Sequence, residues 1–95
     1  MRTQEEFLTL LSQKAKGNIQ GTAKLKIIDE INIMLNEDGA YLGDEDADVT
    51  LSASREVFQN ILDGDQNPTM AFMSGKLKVD GSTTRALKVS AILTE

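Results

Sequence analysis

The spacing of apolar and polar residues predicts a helix at the start of the chain. Four apolar residues recur there at helical spacing: Phe7, Leu8, Leu11 and Ala15. Thr3 and Glu6 stand three residues apart, as in a capping box, in which each side chain accepts a hydrogen bond from the other residue's backbone. Gly17 is suited to the left-handed conformation that ends many helices. We therefore predict a helix over residues 4–16.

Alternation of apolar and polar residues then predicts strands over residues 24–27, 31–36 and 46–52. We expect their apolar side chains to face a core: Leu25, Ile27, Ile31, Ile33, Leu35, Ala47, Val49 and Leu51. On the second strand, Asn32, Met34 and Asn36 then face solvent and give the sheet a polar outer surface. Residues 36–39 predict a hairpin turn, because Gly39 can adopt a positive φ, and a returning strand begins at Tyr41.

After residue 52 the apolar period changes from two residues to between three and four. Ser54 can cap a helix whose apolar face is formed by Val57, Phe58, Ile61 and Leu62. Asp63 and Gly64 end it, and Asn67 followed by Pro68 is typical of the start of another helix. We predict that this short helix covers residues 67–74 and stops at Gly75. A last strand over 76–79 and a turn at 80–82 lead into a final helix bearing Ala86, Val89, Ile92 and Leu93.

This order of elements predicts an α+β fold. Strands grouped together and helices on one side indicate a single, mostly antiparallel sheet of about five strands with the helices packed on one face. The chain has 95 residues, of which 40% are hydrophobic and 26% charged, as in ordinary globular proteins. We expect residues 1–95 to form a single domain.

The composition excludes several kinds of chemistry. The chain contains no cysteine and no histidine, so disulfides, zinc–thiolate sites and histidine-based acid–base catalysis are ruled out. A serine nucleophile would need a buried lysine as its base, and no such pair is indicated. The net charge of −5 disfavours nucleic acid and steady attachment to anionic membranes. We therefore expect a non-enzymatic protein without a cofactor, which contacts membranes at most transiently.

Two acidic segments resemble calcium-binding loops without meeting their requirements. An EF-hand loop needs glycine at about its sixth position and glutamate at about its twelfth. Counted from Asp44, those positions hold Val49 and Arg55, and counted from Asp63 they hold Pro68 and Ser74. Both segments are expected to be solvated turns, and no metal site is predicted. No apolar run approaches the length of a membrane span, so we expect a soluble, cytoplasmic protein.

The C-terminal half of the chain carries a series of landmark residues in a specific order. A strand over residues 47–51 leads into a helix at Ser54, and the further landmarks are Phe58, Leu62, Gly64, Pro68, Ala71, Phe72, Gly75, Lys76, Leu77, Val79, Gly81, Ala86 and Leu87. In this order and spacing the segment resembles the sterol carrier protein type two family of small lipid-binding and lipid-transfer domains. The resemblance implies an apolar tunnel between the inner face of the sheet and the two helices that follow it.

Carried over by position, the resemblance implies a set of residues that line this tunnel and contact a lipid or fatty-acyl ligand. They are Phe58, Ile61, Leu62, Met70, Phe72, Met73, Leu77 and Val79. Methionine and phenylalanine offer an adaptable apolar surface. Plain core packing explains the same residues and stays open as an alternative. The N-terminal region is short for the family, which implies a smaller cavity or one closed by a second copy of the chain.

The sequence indicates several residues that could bind the polar end of a lipid, and it leaves the protein's partners open. Four strand lysines could attract a fatty-acid carboxylate or a lipid headgroup: Lys24, Lys26, Lys76 and Lys78. Exposure on the polar face of the sheet is the commoner explanation for such lysines. Arg55 and Arg85 are no better supported as headgroup ligands. We expect binding and transfer of sterol-like, fatty-acyl or acyl-CoA lipids, and the alternative is an accessory or oligomerisation module, acting as a homodimer or with a partner enzyme.

Overall fold

The computed structural model describes residues 3–94, which form four helices and five strands. In chain order they are α1 (Gln4–Ala15), β1 (Ala23–Ile27), β2 (Ile31–Asn36), β3 (Gly39–Leu42), β4 (Val49–Ala53), α2 (Arg55–Leu62), α3 (Pro68–Met73), β5 (Lys78–Gly81) and α4 (Thr83–Thr94). No helix within this part of the chain combines the length and the apolar character that crossing a membrane requires.

Local sequence signals start and stop these helices as predicted. The capping box forms at α1, where the backbone N–H of Glu6 donates to Thr3 Oγ1 at 3.1 Å and that of Thr3 donates to Glu6 Oε1 at 3.3 Å. Ser54 caps α2 and Asn67 caps α3, with Pro68 in its first turn. Gly17 has a φ of +76°, the left-handed conformation in which a side chain would be strained. The starts of α1, α2 and α3 are therefore set by residues within one helical turn.

The five strands form one sheet in the order β3-β2-β1-β4-β5. Neighbouring strands pair antiparallel except β1 and β4, which run parallel with Leu25 opposite Leu51. The parallel pair requires a crossover, which residues 43–48 provide by passing from the edge strand β3 over β2 and β1 to β4. The predicted mostly antiparallel sheet is thus confirmed, with a single parallel pair at its centre.

The crossover lies on the outer face of the sheet, and it corrects the prediction that Met34 faces solvent. Met34 alternates with two core residues of β2 and therefore points outward, yet it is only 1% exposed. Its Cγ would lie 3.1 Å from a Cβ placed on Gly43, so the crossover backbone packs directly on it. The outer face is consequently polar except beneath this segment, because a distant part of the chain covers it.

Charged and hydroxyl side chains hold the crossover in place. Lys24 Nζ donates to Asp44 Oδ1 at 2.8 Å, and this ion pair lowers the pKa of Asp44 below its ordinary value. The hydroxyl of Tyr41 donates to Glu45 Oε1 at 2.8 Å, and this hydrogen bond raises the pKa of Tyr41. Lys24 is thus occupied by the protein's own carboxylate, which supports the structural explanation of this strand lysine.

The core lies between the inner face of the sheet and the helices. α1 packs on β2 and β3, α4 packs on β4 and β5, and α2 and α3 pack against α4. Buried side chains from every helix and from the first, second and fourth strands form one continuous cluster. The predicted α+β arrangement with its helices on one face is confirmed.

β5 and β4 begin later in the chain than the sequence-based prediction placed them. The last strand begins at Lys78 rather than 76, because the backbone N–H groups of Lys76 and Leu77 donate to the carbonyl of Ala71 instead of to a neighbouring strand. β4 begins at Val49 rather than 46, since residues 43–48 belong to the crossover. Ala47, predicted to be buried, is only half-buried for the same reason.

Candidate functional site

The eight residues predicted to line a tunnel divide between the interior and the surface. Phe58, Ile61, Leu62 and Leu77 are buried in the core, and Phe72 and Val79 are half-buried. Met70 and Met73 are 62% and 76% exposed and point away from the interior. The structure therefore brings four of the predicted residues together inside the protein and places the two methionines on the outside of α3.

Helix α2 contributes three of the four buried residues of the predicted set. The backbone N–H of Val57 donates to Ser54 Oγ at 3.2 Å, which fixes the start of the helix at the end of β4. Phe58, Ile61 and Leu62 then recur at helical spacing and are all buried. The switch from strand to helix within two residues of the chain places this apolar face in the same buried cluster as the inward side chains of the sheet.

α3 closes the same side of the core with little buried area of its own. It has six residues, and Ala71 is the buried one. Asn67 Oδ1 accepts a hydrogen bond from the N–H of Met70 at 3.1 Å, and the Ala71 carbonyl accepts two more from Lys76 and Leu77. Few packed side chains thus hold α3, together with its cap and with backbone hydrogen bonds from the residues that follow it.

The sequence did not predict the polar cluster that Arg55 and Gln59 form on α2, and it supported Arg55 as a headgroup ligand no better than the strand lysines. Arg55 Nη2 lies 2.6 Å from Glu30 Oε1, and its guanidinium carbon lies 5.8 Å from the centre of the Phe7 ring. Nε of Arg55 and Nε2 of Gln59 are buried and have no hydrogen-bond partner. The available signal was the spacing: Arg55 and Gln59 are four residues apart and share a helix face with Phe58 and Leu62.

Two grooves lie on the surface outside this region. The larger, about 530 Å³, runs between the α1–β1 loop and α4, with Ile19, Val89 and Ile92 as apolar lining and Arg85 and Lys88 as cations. The smaller, about 390 Å³, lies where α1 meets β3, and polar side chains contribute much of its lining. Neither groove includes any of the eight predicted residues.

The cations of the larger groove are partly engaged within the protein. Arg85 donates to the backbone carbonyl of Gln20, and its Nη2 lies 3.6 Å from Asp48 Oδ2. This pairing joins α4 to the loop that precedes β1. Over residues 3–94, no three acidic side chains come close enough together to hold a metal ion.

Comparison with known proteins identifies the family. Residues 5–94 match the SCP-2 sterol transfer family. Hydroxysteroid dehydrogenase-like protein 2 of Rattus norvegicus is 46% identical over 48 residues, which are 50% of this chain and 9% of that protein. The fatty acid-binding protein of Yarrowia lipolytica is 42% identical over 48 residues, which are 50% of this chain and 37% of that protein. The matches thus span much less than the full length of these relatives.

A solved structure supports the same assignment at the level of fold. Sterol carrier protein 2 from Aedes aegypti, determined in complex with palmitate, superimposes with a TM-score of 0.77. The superposition covers 98% of this chain and 96% of that one at 16% sequence identity. Because the family match extends over almost the whole chain and the fold agrees, the chain belongs to the SCP-2 sterol transfer family.

Proposed function

We propose that this chain forms one non-enzymatic lipid-binding domain, which holds an acyl lipid between the inner face of the sheet and helices α2 and α3. The observation that carries the proposal is the weak closure of this part of the core. Phe58, Ile61, Leu62 and Leu77 form a buried apolar layer, whereas α3 contributes Ala71 to it. Moving α3 outward would expose a continuous apolar surface at the cost of few packed side chains.

The family assignment and two relatives support a lipid as the occupant of this layer. The Yarrowia lipolytica relative is a fatty acid-binding protein, and the Aedes aegypti protein of the same fold was solved with palmitate bound. Fully burying a sixteen-carbon tail contributes on the order of 12 kcal/mol, at about 0.8 kcal/mol for each methylene group. Association costs of about 4 kcal/mol or more leave enough free energy for binding in the micromolar range or tighter.

The packed state of the interior determines how the ligand would enter. An open cavity of about 300 Å³ would cost roughly 7 kcal/mol, which is a large part of the total stability of a small domain. A domain of this size therefore gains by closing when no lipid is present. We propose that the tail separates α3 from the sheet as it enters and that Phe72, Met70 and Met73 then turn toward it. Sterol-like lipids and acyl-CoA would use the same layer, and transfer would follow from transient contact with membranes.

The second candidate function is that of an accessory module for an enzyme. It is favoured by the match to 9% of the length of a hydroxysteroid dehydrogenase-like protein, where a segment like this one belongs to a much longer chain. In that role the domain would present or retain an apolar substrate for a catalytic partner. A homodimer closing the apolar layer belongs to the same class of explanation.

The two functions are separated by what the purified protein carries. We expect solvent extraction followed by mass spectrometry to recover about one acyl lipid for each chain. Lipid-free protein should then bind palmitate in a titration. Binding is measured by the heat released or by displacement of a fluorescent fatty acid. Protein that carries no lipid, binds none and co-purifies with a single enzyme would favour the accessory function instead.

A matched pair of substitutions tests the position of the ligand. Ile61→Phe adds volume inside the apolar layer and should weaken palmitate binding several-fold, because overpacking there opposes the opening. Ile28→Phe makes the same change at a side chain that is 44% exposed and should leave binding unchanged. Both variants are first compared with the wild type by thermal unfolding. Equal palmitate affinity in the two variants would contradict binding between the sheet and α2.

A further inference from the structure

Two side chains of α2, one helical turn apart, carry buried hydrogen-bond donors that have no partner in the core. Arg55 and Gln59 lie one helical turn apart, on the face of α2 that also carries Phe58 and Leu62. The Arg55 side chain is 16% exposed, and both its Nε and Gln59 Nε2 are shielded from solvent without a hydrogen-bond partner. Unpaired buried donors destabilise a protein and call for an explanation in terms of a ligand, an ordered water or a strained site.

The surroundings of Arg55 show which ligand chemistry suits it. Its guanidinium covers the ring of Phe7, which is fully buried and belongs to the core. Its Nη2 is already bound to the carboxylate of Glu30, which is itself 39% exposed in the turn between β1 and β2. A carboxylate is therefore compatible with this position, and an exposed glutamate can leave it without unfolding any element.

Glu30 occupies only some of the N–H donors of the Arg55 guanidinium. Guanidinium groups bind carboxylates best through two parallel hydrogen bonds, and here Nη2 contacts Glu30 while Nε has no hydrogen-bond partner. An incoming carboxylate could engage Nε of Arg55 with one oxygen and Nε2 of Gln59 with the other. Its hydrocarbon tail would then run along Phe58 and Leu62, on the same face of α2, toward the layer beneath α3.

We propose that Arg55 and Gln59 form the headgroup site for the carboxylate of a free fatty acid, which displaces Glu30 on binding. This inference rests on the proposed function, since the tail must occupy the layer beneath α3. It narrows the ligand class: a fatty acid satisfies both unpaired donors with a full negative charge. A sterol or fatty alcohol brings only a neutral hydroxyl, and the acyl end of acyl-CoA is an uncharged thioester.

The test compares palmitate with hexadecanol, which has the same carbon count and no charge, on the lipid-free 95-residue chain. The wild type should bind palmitate at least about tenfold more tightly than hexadecanol. Arg55→Met should remove this preference by weakening palmitate about tenfold or more, while hexadecanol affinity stays within about threefold. Gln59→Leu, which keeps a similar volume, should weaken palmitate by a smaller factor in the same direction.

Two further variants keep the test decisive. Arg85→Met removes an equal charge from the groove beside α4 and should leave the preference for palmitate intact. Glu30→Gln retains Arg55 and removes its competing charge, so it should tighten palmitate several-fold without changing hexadecanol. If Arg55→Met fails to fold, the palmitate and hexadecanol affinities of Glu30→Gln still test the headgroup site.

The outcomes distinguish this inference from the proposed function. If both ligands bind the wild type equally, or if Arg85→Met rather than Arg55→Met abolishes the preference, the headgroup site is wrong while lipid binding stands. If Arg55→Met weakens both ligands by the same factor, Arg55 only supports the fold. If neither palmitate nor hexadecanol binds, the proposed function fails together with the inference.

Discussion

Helices α1 and α3 pack on the same core, yet they contribute to it very differently. α1 has 12 residues and buries Phe7, Leu11 and Ala15 completely against β2 and β3. α3 has six residues and buries Ala71, and both of its methionines are largely exposed. Large buried side chains therefore hold α1 in place, whereas α3 depends on a cap and a few backbone hydrogen bonds.

This difference separates a stable part of the molecule from an adaptable one. Regions with few buried apolar contacts open locally at a much lower free energy than the whole domain unfolds. Ligand-binding segments belong to the regions with a low free energy of local opening, because a site that must open cannot also be the most tightly packed part of the core. We expect the α1 half to keep the sheet intact while the α3 half rearranges.

The largest expected effect comes from truncating a buried side chain of α1, and the comparison is an exposed side chain of α3. Leu11→Ala should lower the free energy of unfolding by about 2–5 kcal/mol, because it leaves a cavity in the α1 half. Met73→Ala should change it by no more than about 0.5 kcal/mol, since that side chain is mostly in solvent. Urea unfolding measures both values. Leu42→Ala, at a leucine that is 50% exposed, controls for the residue type, and a large loss there or at Met73 would contradict the contrast.

Ligand binding should stabilise the protein by a comparable amount. Palmitate at about 100 times its dissociation constant should add about 2.7 kcal/mol, which raises the melting temperature by roughly 10–20 °C for a domain of this size. Amide hydrogen exchange should slow most over residues 57–77, because the lipid is proposed to contact that segment. Slowing concentrated instead at 18–20 and 85–92 would place the lipid in the surface groove beside α4.

Removing the helix caps should affect the two regions unequally. Ser54→Ala should lower the global free energy of unfolding by about 1 kcal/mol, because α2 is part of the cooperative core. Asn67→Ala removes an equivalent hydrogen bond from α3. It should speed amide exchange at residues 70–75 several-fold with a smaller global loss. Equal global losses in the two variants would show that α3 unfolds only with the whole domain.

The smallest expected effect concerns the ion pair on the outer face. Because Lys24 holds the folded-state pKa of Asp44 below its ordinary value, near 3.9 in an unfolded chain, the pair stabilises the protein above that pH. This stabilisation is lost as the pH falls through the lower folded-state value. Asp44→Asn should therefore be slightly less stable than the wild type at neutral pH and low salt, and the difference should vanish in acid. Asp46→Asn, which neutralises another acid of the same segment, should not reproduce this pH dependence.

Many features of the fold were predictable because their causes are local. Thr3 with Glu6, Ser54, and Asn67 with Pro68 each satisfy the first amides of a helix from within one turn, so the sequence around them is sufficient. Alternation over residues 31–35 likewise identified the inward side of β2. The same reasoning failed for Met34, because the crossover that buries it comes from residues 43–48 and leaves no periodic signal.

The candidate site was predictable only in part, for a related reason. Phe58, Ile61 and Leu62 lie on an eight-residue helix whose period identifies one buried face. α3 is shorter than two turns, so periodicity could not show that Met70 and Met73 face outward. The start of β5 was misplaced because the amides of residues 76 and 77 bond to the end of α3 rather than to β4.

The order and type of the elements, the helix caps and the family resemblance follow from the sequence by itself, since each depends on residues close together in the chain. Tertiary structure alone decided how firmly α3 is held and where Arg55 lies. Arg55 meets Phe7 and Glu30 only because the sheet brings α1, α2 and the β1–β2 turn to one end of the molecule. Such contacts between distant segments depend on the packing of the whole domain, and no local pattern encodes them.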